Sequence, residues 1–427
     1  MGLDSHEPTP PPREHGIIYS FRAFKHKNFS IFWVGALLSN IGGWLSNLAV
    51  PFVLYDITGE ATWVGLASVA QFVPGIILGP LGGSLADRFD RRKVLILTQL
   101  GMTLSAMAMW FVWVQGFHDA YVLLLLVMLI GSFGGLNMPT WQSFVSDLVP
   151  RGDLMSAVTL NSLQFNAARS IGPAIAGILL AASGPALAFL LNGISFSFVI
   201  ISLLVITLPK RIIQHSAKSP VLRQFTDAVK YTRRTKGLLS SILLSVIVGI
   251  LGNPLFTLTV VYAEDIYKVD EVALGMMNAA LGLGALIAAP IVSGWSKFLP
   301  SSKVVKWGMI VYGVALALFS LTTAYWVGII MLVIIGACFL SVISGLNTSL
   351  QLMVADPMRG RVIALRHMLY TLSFPVGAMF QAWMADMWNV QVSLFVAGVL
   401  MVISVFGILM LRSVSFASLD IHPEDMT

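Results

Sequence analysis

Residues 325–350 read YWVGIIMLVIIGACFLSVISGLNTSL, a stretch without a single charged side chain. Coiled into an α-helix at about 1.5 Å per residue, a stretch of this length more than crosses the ~30 Å hydrocarbon core of a bilayer. Hydrophobic residues make up 57% of the 427-residue chain and charged residues only 11%, against about 25% charged residues in an ordinary soluble domain. Because a water-soluble surface of this composition would be largely apolar and would aggregate, the composition favours a membrane protein.

Apolar stretches of spanning length recur along the whole chain. They cover approximately residues 29–55, 62–86, 94–114, 120–145, 155–182, 186–208, 237–263, 272–295, 304–322, 325–350, 361–385 and 389–412. Each is a continuous apolar run without the alternation of a barrel strand, which excludes a β-barrel. We therefore predict an all-α polytopic membrane protein with twelve transmembrane helices, numbered here as spans 1 to 12.

The basic residues lie almost entirely on one side of these spans. With the N-terminus placed inside, the inward loops hold Arg88, Arg91, Arg92, Lys93, Arg151, Lys297, Lys303, Lys306, Arg359, Arg361 and every Lys and Arg of segment 209–236. The outward loops hold Lys268 alone. Since cytoplasmic loops carry the excess of Lys and Arg, we predict that both termini are cytoplasmic. The net charge of +6 then reflects membrane topology, and no nucleic-acid partner is expected.

An internal repeat divides the chain into two halves. At an offset of 210 residues, Gly42 matches Gly252, Gly65 matches Gly275, Ala70 matches Ala280, Pro80 matches Pro290, Lys93 matches Lys303, and Leu136-Asn137 matches Leu346-Asn347. Duplicated halves of this kind build a site at their pseudo-symmetric interface and rock around it. The repeat therefore predicts two six-helix bundles.

The predicted domain limits follow from the spans and the polar segments between them. They are a cytoplasmic tail over 1–28, an N-terminal bundle over 29–208, a cytoplasmic linker over 209–236, a C-terminal bundle over 237–412 and a cytoplasmic tail over 413–427. Within the linker, Leu222, Phe225 and Val229 recur at helical spacing. This spacing fits an amphipathic helix on the inner membrane surface, or else a solvated linker that only enforces topology.

The junction between spans 2 and 3 reads GGSLADRFDRRK over residues 82–93. It resembles the signature G-x-L-A-D-R-x-G-R-K that the major facilitator superfamily carries between its second and third helices, with Asp90 in place of the usual glycine. The resemblance implies the major facilitator fold, in which two pseudo-symmetric six-helix bundles alternate between inward-open and outward-open states. It further implies a conformational gate in this loop. The gate residues are Gly83, Asp87, Arg88, Arg91 and Arg92, with Arg361 near the start of span 11 as the expected partner of the Asp87 latch. The alternative is that these are simply the inside-positive charges of the topology.

Span 5 carries a second recognisable run, NSLQFNAARSIGPAIAG over residues 161–177. Gly172, Pro173 and Gly177 resemble the antiporter motif in the fifth helix of drug exporters of this superfamily, although Ala168 stands where a glycine is common. This motif favours export over uptake. Together with DITG at 56–59 and RGR at 359–361, the run resembles the branch that contains enterobactin exporters and macrolide efflux proteins.

The candidate cargo-binding residues are polar or aromatic side chains within the spans. They are Asn40, Trp44 and Asn47 on span 1, Asn137 on span 4, Arg169 on span 5, Asn253 on span 7 and Asn347 on span 10. We take Arg169 as the one formal charge well inside a span, where a cation is costly unless it faces a cavity or a partner. It would then attract an anionic part of the cargo, or else bond structurally to helix-end carbonyls near Pro173 or to a neighbouring span. The asparagines could likewise join helices rather than bind cargo.

No grouping in the sequence indicates a metal site, a cofactor or an enzyme. Cys338 is the single cysteine, the seven histidines are scattered, and no Gly-rich loop ends in Lys-Ser or Lys-Thr to hold ATP. We therefore expect gradient-driven or facilitated transport. Proton antiport usually relies on a buried carboxylate of raised pKa, which the span centres lack. Val127 also stands where proton-coupled relatives carry an arginine, so the resemblance alone implies protons as the coupling ion.

These observations lead to one functional prediction and one alternative. We predict a secondary active transporter of the bacterial inner membrane that exports a small amphipathic organic molecule, such as a drug, a macrolide or a siderophore-like compound. Its partners would be the cargo, the lipid bilayer and protons, and we expect a monomer. The alternative is an uptake symporter or facilitator of a nutrient or a lysolipid with the same fold.

Overall fold

The computed structural model describes residues 17–207, 221–295, 300–410 and 415–420. Within these ranges twelve helices are long and apolar enough to cross a membrane, and all regular elements are helical. The predicted all-α, twelve-span architecture is therefore confirmed. The helices are α1 Lys27–Thr58, α2 Ala61–Arg88, α3 Arg91–Val114, α4 Ala120–Asp147, α5 Leu154–Ser183, α6 Pro185–Val205, α7 Val221–Arg234, α8 Lys236–Leu251, α9 Leu255–Tyr262, α10 Glu271–Trp295, α11 Ser301–Leu321, α12 Tyr325–Met353, α13 Arg359–Met387 and α14 Val390–Met410.

Spans 1 to 6 correspond to α1–α6, and spans 8 to 12 correspond to α10–α14. Span 7 consists of α8, α9 and a π-helical turn at Ala263–Tyr267. Following the asymmetry of basic residues, we call the end of the bundle that holds the α2–α3 junction the inner end, and the opposite end the outer end. The predicted span limits agree with the observed helices to within a few residues.

Side-chain capping fixes two helix starts that lie on opposite ends of the bundle. The Asp90 carboxylate accepts a hydrogen bond from the Arg92 backbone N–H (2.9 Å) and so caps α3 at the inner end. At the outer end, the Asp119 carboxylate accepts from the Val122 N–H (3.0 Å) and caps α4. A side-chain cap satisfies backbone N–H groups that a helix start leaves unpaired. This local role explains why an aspartate, rather than the family's glycine, is accommodated at position 90.

The two halves meet along two helix pairs. α2 packs on α13, and α5 packs on α10. The repeat relates these pairs to each other, because α10 is the counterpart of α2 and α13 that of α5. A Cβ atom added at Gly65 would lie 3.0 Å from the Met379 Cα atom on α13. One added at the equivalent Gly275 would lie 2.8 Å from the Pro173 carbonyl oxygen on α5. The repeated glycines thus occupy equivalent close contacts between the halves.

Span 7 is broken near its middle by the sequence Gly252-Asn253-Pro254. Proline has no backbone N–H, so the Ile250 carbonyl, four residues earlier, loses its helical partner. The Gln381 side chain of α13 replaces it, with Nε2 donating to the carbonyl oxygens of Ile250 (2.8 Å) and Leu251 (3.1 Å). Broken helices of this kind occur inside a membrane where the freed backbone is buried in protein or lines a cavity.

The linker contains the predicted helix, seen here as α7; residues 209–220 of the predicted linker lie outside the described ranges. α7 packs against α13 and α8. Ala228 is buried, and the Tyr231 hydroxyl accepts a hydrogen bond from the Ala355 N–H (3.2 Å). Neither interpretation of the linker included these protein contacts. The sequence could not show these contacts, because the same pattern of small and aromatic residues suits a helix face that contacts lipid and one that contacts another helix.

Candidate functional site

The outer ends of the two halves are joined by two polar contacts. The Asp386 carboxylate, near the end of α13, accepts from the backbone N–H groups of Ala61 (2.6 Å) and Thr62 (2.7 Å) at the start of α2. The Tyr55 hydroxyl donates to the Asp265 carboxylate (2.7 Å). Both contacts cross from the first half to the second. The outer end is therefore closed in this structure.

The same halves part toward the inner end. On α5, Ser170 meets α10, since a Cβ added at Gly282 would lie 2.7 Å from the Ser170 Cα atom. Asn166 and Ser162 lie one and two turns nearer the inner end on the same face of α5, and both are exposed. On α13, Phe374 contacts Phe72 across the halves, with ring centroids 5.0 Å apart. Two turns nearer the inner end, His367 is exposed. We infer from these exposed side chains that the centre is reachable from the inner end.

Arg169 lies at this centre, between aromatic side chains of both halves. Its guanidinium carbon is 4.4 Å from the centroid of the Phe256 ring, 4.8 Å from that of Phe339 and 5.7 Å from that of Trp44. A cation over an aromatic face is attracted by the ring quadrupole, and more strongly when water is excluded. Within the described residues, no hydrogen bond or ion pair to the guanidinium is present. The alternative of an arginine bonded to carbonyls near Pro173 therefore has no contact to support it among these residues.

The break in span 7 lies beside Arg169. Asn253 Nδ2 donates to the Tyr370 hydroxyl (2.9 Å), while its Oδ1 is buried without a partner in the described structure. The Tyr312 hydroxyl is likewise buried and unpaired there. It lies next to the break, because a Cβ added at Gly252 would be 2.6 Å from it. These groups form one polar cluster around the broken helix.

Arg169 is not the only cation inside a span, and this corrects the sequence interpretation. Arg366 lies two turns into α13, where its Nε donates to the Ser245 hydroxyl (2.9 Å) and its Nη1 to Asn347 Oδ1 (3.3 Å). The sequence-based prediction did not include Arg366, which lies five residues after the predicted start of span 11 at Arg361. Its spacing of seven residues from Arg359, two helical turns, is the signal that could have revealed it.

The remaining candidate asparagines make bonds within the first half. Asn40 Nδ2 donates to the Ala36 carbonyl of its own helix (3.0 Å). Asn47 Oδ1 accepts from Gln71 Nε2 (2.6 Å), and Asn137 Oδ1 accepts from the Thr98 hydroxyl (2.9 Å). The last two bonds join α1 to α2 and α3 to α4. Polar side chains between membrane helices commonly form such bonds.

The loop that matches the superfamily signature is tied to the first half. Arg91 Nη1 bonds to the Asp147 carboxylate (2.7 Å) and the Ser143 carbonyl (2.9 Å), and Arg92 Nη2 donates to the Leu204 carbonyl (2.8 Å). Asp87 is the penultimate residue of α2 and is exposed, as is Arg88. Across the inner end, Arg361 forms an ion pair with Asp227 of α7 (3.5 Å).

The glycines of α2 and α5 differ in what they contact. A Cβ added at Gly75 would lie 3.2 Å from the Gly131 carbonyl oxygen of α4, so this glycine packs within the first half. One added at Gly83 would meet only the Pro139 side chain, at 4.0 Å. In the antiporter-like run, Gly172 packs against Trp44 of α1, and Gly177 packs against the start of α10. The last contact is part of the closed outer end.

A family model described as transmembrane secretion effector matches residues 18–427 of the chain. The chain belongs to this family of major facilitator transporters. The chain is 22% identical to macrolide efflux protein A of Streptococcus pyogenes over 90% of its own length and 95% of the relative's. It is 21% identical to the staphyloferrin A transporter of Staphylococcus aureus, over 67% and 72% of the two chains. It is 26% identical to the uncharacterised MFS-type transporter YfiS of Bacillus subtilis, with 60% of the chain aligned to 61% of that relative.

Solved structures share the fold of this chain. One is a bacterial homologue of the human lysosomal transporter Spinster, with a TM-score of 0.70 and 14% identity over 96% of this chain and 99% of that chain. Another is the nucleoside transporter NupG, with a TM-score of 0.72 and 12% identity over 91% and 99%. The family model and the relatives confirm the predicted superfamily, and the chain is a multi-pass membrane transporter.

Proposed function

We propose that this transporter exports a small amphipathic organic molecule from the cytoplasm across the bacterial inner membrane by alternating access. One observation carries the proposal. Arg169 and aromatic rings from both halves form a central site that is reachable from the inner end while the outer end is closed. A cargo entering from the cytoplasm would meet this site first, if the inner end is cytoplasmic as the basic loops indicate. Reversal of the closure would then release the cargo outside.

The proposed cargo-binding set combines the polar cluster with the other candidates on the spans. It comprises Asn40, Trp44, Asn47, Asn137, Arg169, Asn253 and Asn347. Trp44, Arg169 and Asn253 are its centre, because they lie at the junction of the halves. Asn347 contributes through Arg366, to which its amide oxygen is bonded.

The proposed gate is the contact of the α2–α3 loop with the start of α13 at the inner end. Asp87 would accept from that helix start or from Arg361 when the inner end closes. A carboxylate is stabilised at a helix N-terminus, where unpaired N–H groups point outward. In the present structure Asp227 pairs with Arg361, so α7 would release Arg361 to Asp87 during closure. Gly83, Arg88, Arg91 and Arg92 would hold the loop in shape.

The direction and the coupling ion rest on similarity. The relatives named for macrolide efflux and for staphyloferrin transport favour a drug, macrolide or siderophore-like cargo. The antiporter-like Gly172, Pro173 and Gly177 favour exchange for protons. We propose a monomer, since each chain contains both halves of the site. Uptake of a nutrient or lysolipid is the second candidate, because the fold is shared with the nucleoside transporter NupG.

The test is transport into inverted membrane vesicles that contain the full chain, with a panel of amphipathic compounds. We expect accumulation inside the vesicles that requires a proton gradient. Accumulation without a gradient would contradict proton coupling. Gradient-driven uptake confined to right-side-out vesicles would favour the second candidate over export.

A further inference from the structure

The geometry around Arg169 points to the chemical class of the cargo, an inference that rests on the transport function proposed above. Arg169 lies over the rings of Phe256 and Phe339. A guanidinium is planar and carries five N–H donors along its edge. No described residue accepts from them. A planar, bidentate acceptor of opposite charge, such as a carboxylate, fits this edge best.

The neighbours of Arg169 add neutral hydrogen-bonding groups without adding negative charge. The Tyr312 hydroxyl and one end of the Asn253 amide are buried and unpaired within the described structure. Rotating the amide by half a turn lets the Tyr370 hydroxyl donate to Oδ1 and leaves Nδ2 as a free donor. Buried polar atoms without partners are costly. A ligand that accepts hydrogen bonds would satisfy them.

The distribution of acidic residues excludes the opposite class of cargo. Every Asp and Glu within the described spans lies near a helix end, as with Asp56, Glu264 and Asp386 at the outer end and Asp87 and Asp147 at the inner end. The spans instead hold two cations away from their ends, Arg169 at the centre and Arg366 two turns into α13. Since charges interact strongly where water is scarce, an ammonium group would be repelled there and would find no counter-charge.

We propose that the centre of this transporter binds the carboxylate of an organic anion. Arg169 is the charged partner, and the Tyr312 hydroxyl and the Asn253 amide Nδ2 complete the site beside the break in span 7. The rings of Trp44, Phe256 and Phe339 receive an apolar, planar body. The cargo is thus an amphipathic organic acid, which narrows the range proposed above to its acidic members and excludes its neutral and cationic ones.

Three compounds of matched shape test this class: naphthoate, naphthamide and naphthylmethylammonium. Their equilibrium dissociation constants are measured on the purified full chain in detergent by a scintillation proximity assay. A charge-assisted pair is stronger than a neutral hydrogen bond by an amount that corresponds to about tenfold in affinity. We therefore expect wild type to bind naphthoate about tenfold more tightly than naphthamide, and the ammonium compound most weakly. Equal affinities, tighter binding of the ammonium compound, or no binding of naphthoate would overturn the proposal.

Variants assign the preference to named groups. Arg169→Gln should abolish the preference for naphthoate and leave the affinity for naphthamide within about twofold, whereas Arg169→Lys should retain part of it. Tyr312→Phe should weaken naphthoate binding by a few fold and gives a second readout if Arg169→Gln does not fold. Lys306→Gln removes a cation that lies over the Trp307 ring away from the site and should change nothing. Equal loss of naphthoate and naphthamide in Arg169→Gln would mark a structural arginine and overturn the assignment.

The vesicle assay separates this inference from the proposed function. Selective naphthoate binding without transport in either vesicle orientation would contradict the transport function and leave the anion site standing. Gradient-driven transport of neutral or cationic compounds in preference to the acid would contradict the anion site and leave the transport function standing.

Discussion

The closed outer end depends on a helix cap that one half supplies to the other, and removing its charge should shift the conformational equilibrium. Glu60 precedes α2, but its side chain makes no capping hydrogen bond. Asp386 of α13 accepts instead from the Ala61 and Thr62 N–H groups, at 2.6 and 2.7 Å. When the outer end opens, α2 and α13 must separate, and both bonds break. Asp386→Asn keeps the size of the side chain and removes its charge.

The size of the effect follows from capping energetics. Each Asp386 carboxylate oxygen accepts from one of the two N–H groups, whereas asparagine has a single acceptor oxygen. Asp386→Asn therefore loses one of the two hydrogen bonds, at a cost of about 1 kcal/mol. The carboxylate is exposed, which keeps its interaction at the modest values of solvent-screened charges. Since 1.4 kcal/mol is tenfold in an equilibrium constant, a loss of about 1 kcal/mol corresponds to roughly fivefold. We therefore expect the population with a separated outer end to rise about fivefold in Asp386→Asn.

Double electron–electron resonance measures this population directly. In a Cys338→Ala background, spin labels at the exposed outer positions Gln115 and Thr323 report the separation of the halves. Asp119→Asn is the matched control, because Asp119 also caps a helix at the outer end but within the first half. An unchanged distance distribution in Asp386→Asn, or an equal shift in Asp119→Asn, would refute the reasoning.

Four further substitutions test other contacts. Tyr55→Phe removes the hydrogen bond to Asp265 (2.7 Å) and should favour separation of the outer end by about 0.5–1.5 kcal/mol. The same spin-label distances report this change, and a shift toward closure would contradict the assignment. Gly275→Ala places a Cβ 2.8 Å from the Pro173 carbonyl oxygen and should separate α5 from α10 at a cost of about 1–3 kcal/mol. Gly79→Ala is the control, because nothing lies within 4 Å of its added Cβ, and it should keep the spin-label distances of wild type. Gln381→Leu leaves the Ile250 carbonyl without its partner and should lower thermal stability in detergent by about 1–3 kcal/mol, so an unchanged unfolding midpoint would show that the break needs no such partner. Asp87→Asn should strongly reduce the transport rate while the protein remains folded and inserted. Asp90→Asn is the control, because asparagine caps a helix about as well as aspartate. Wild-type transport rates in Asp87→Asn would contradict the gate assignment.

The architecture was predictable from the sequence because it depends on composition and periodicity. A charge-free stretch such as 325–350 has to cross the bilayer, whatever its neighbours are. The repeat also carried spatial information, since Gly65 and Gly275 occupy equivalent contacts between the halves. In the same way Tyr55 and Asp265, which are 210 residues apart, bond to each other across the junction.

The site was predictable only in part, because its contacts depend on which helices face each other. Arg169 stood out as a charge inside an apolar run, but its aromatic partners lie on three other helices. Arg366 was not considered, although it lies five residues after the predicted start of span 11. The position of Asp386 in its helix is a signal that the sequence contains. Asp386 is the penultimate residue of α13, as Asp87 is of α2, and these two helices pack antiparallel at the junction of the halves.

The central claim is that the site opens to the cytoplasm while the outer end is closed. The most direct measurement is the labelling of Asn166→Cys, in the Cys338→Ala background, by a membrane-impermeant maleimide. Asn166 is exposed on the face of α5 that parts from α10. Labelling should be rapid in inside-out vesicles and slow in right-side-out vesicles. Equal labelling from both sides, or faster labelling from the outside, would contradict the account.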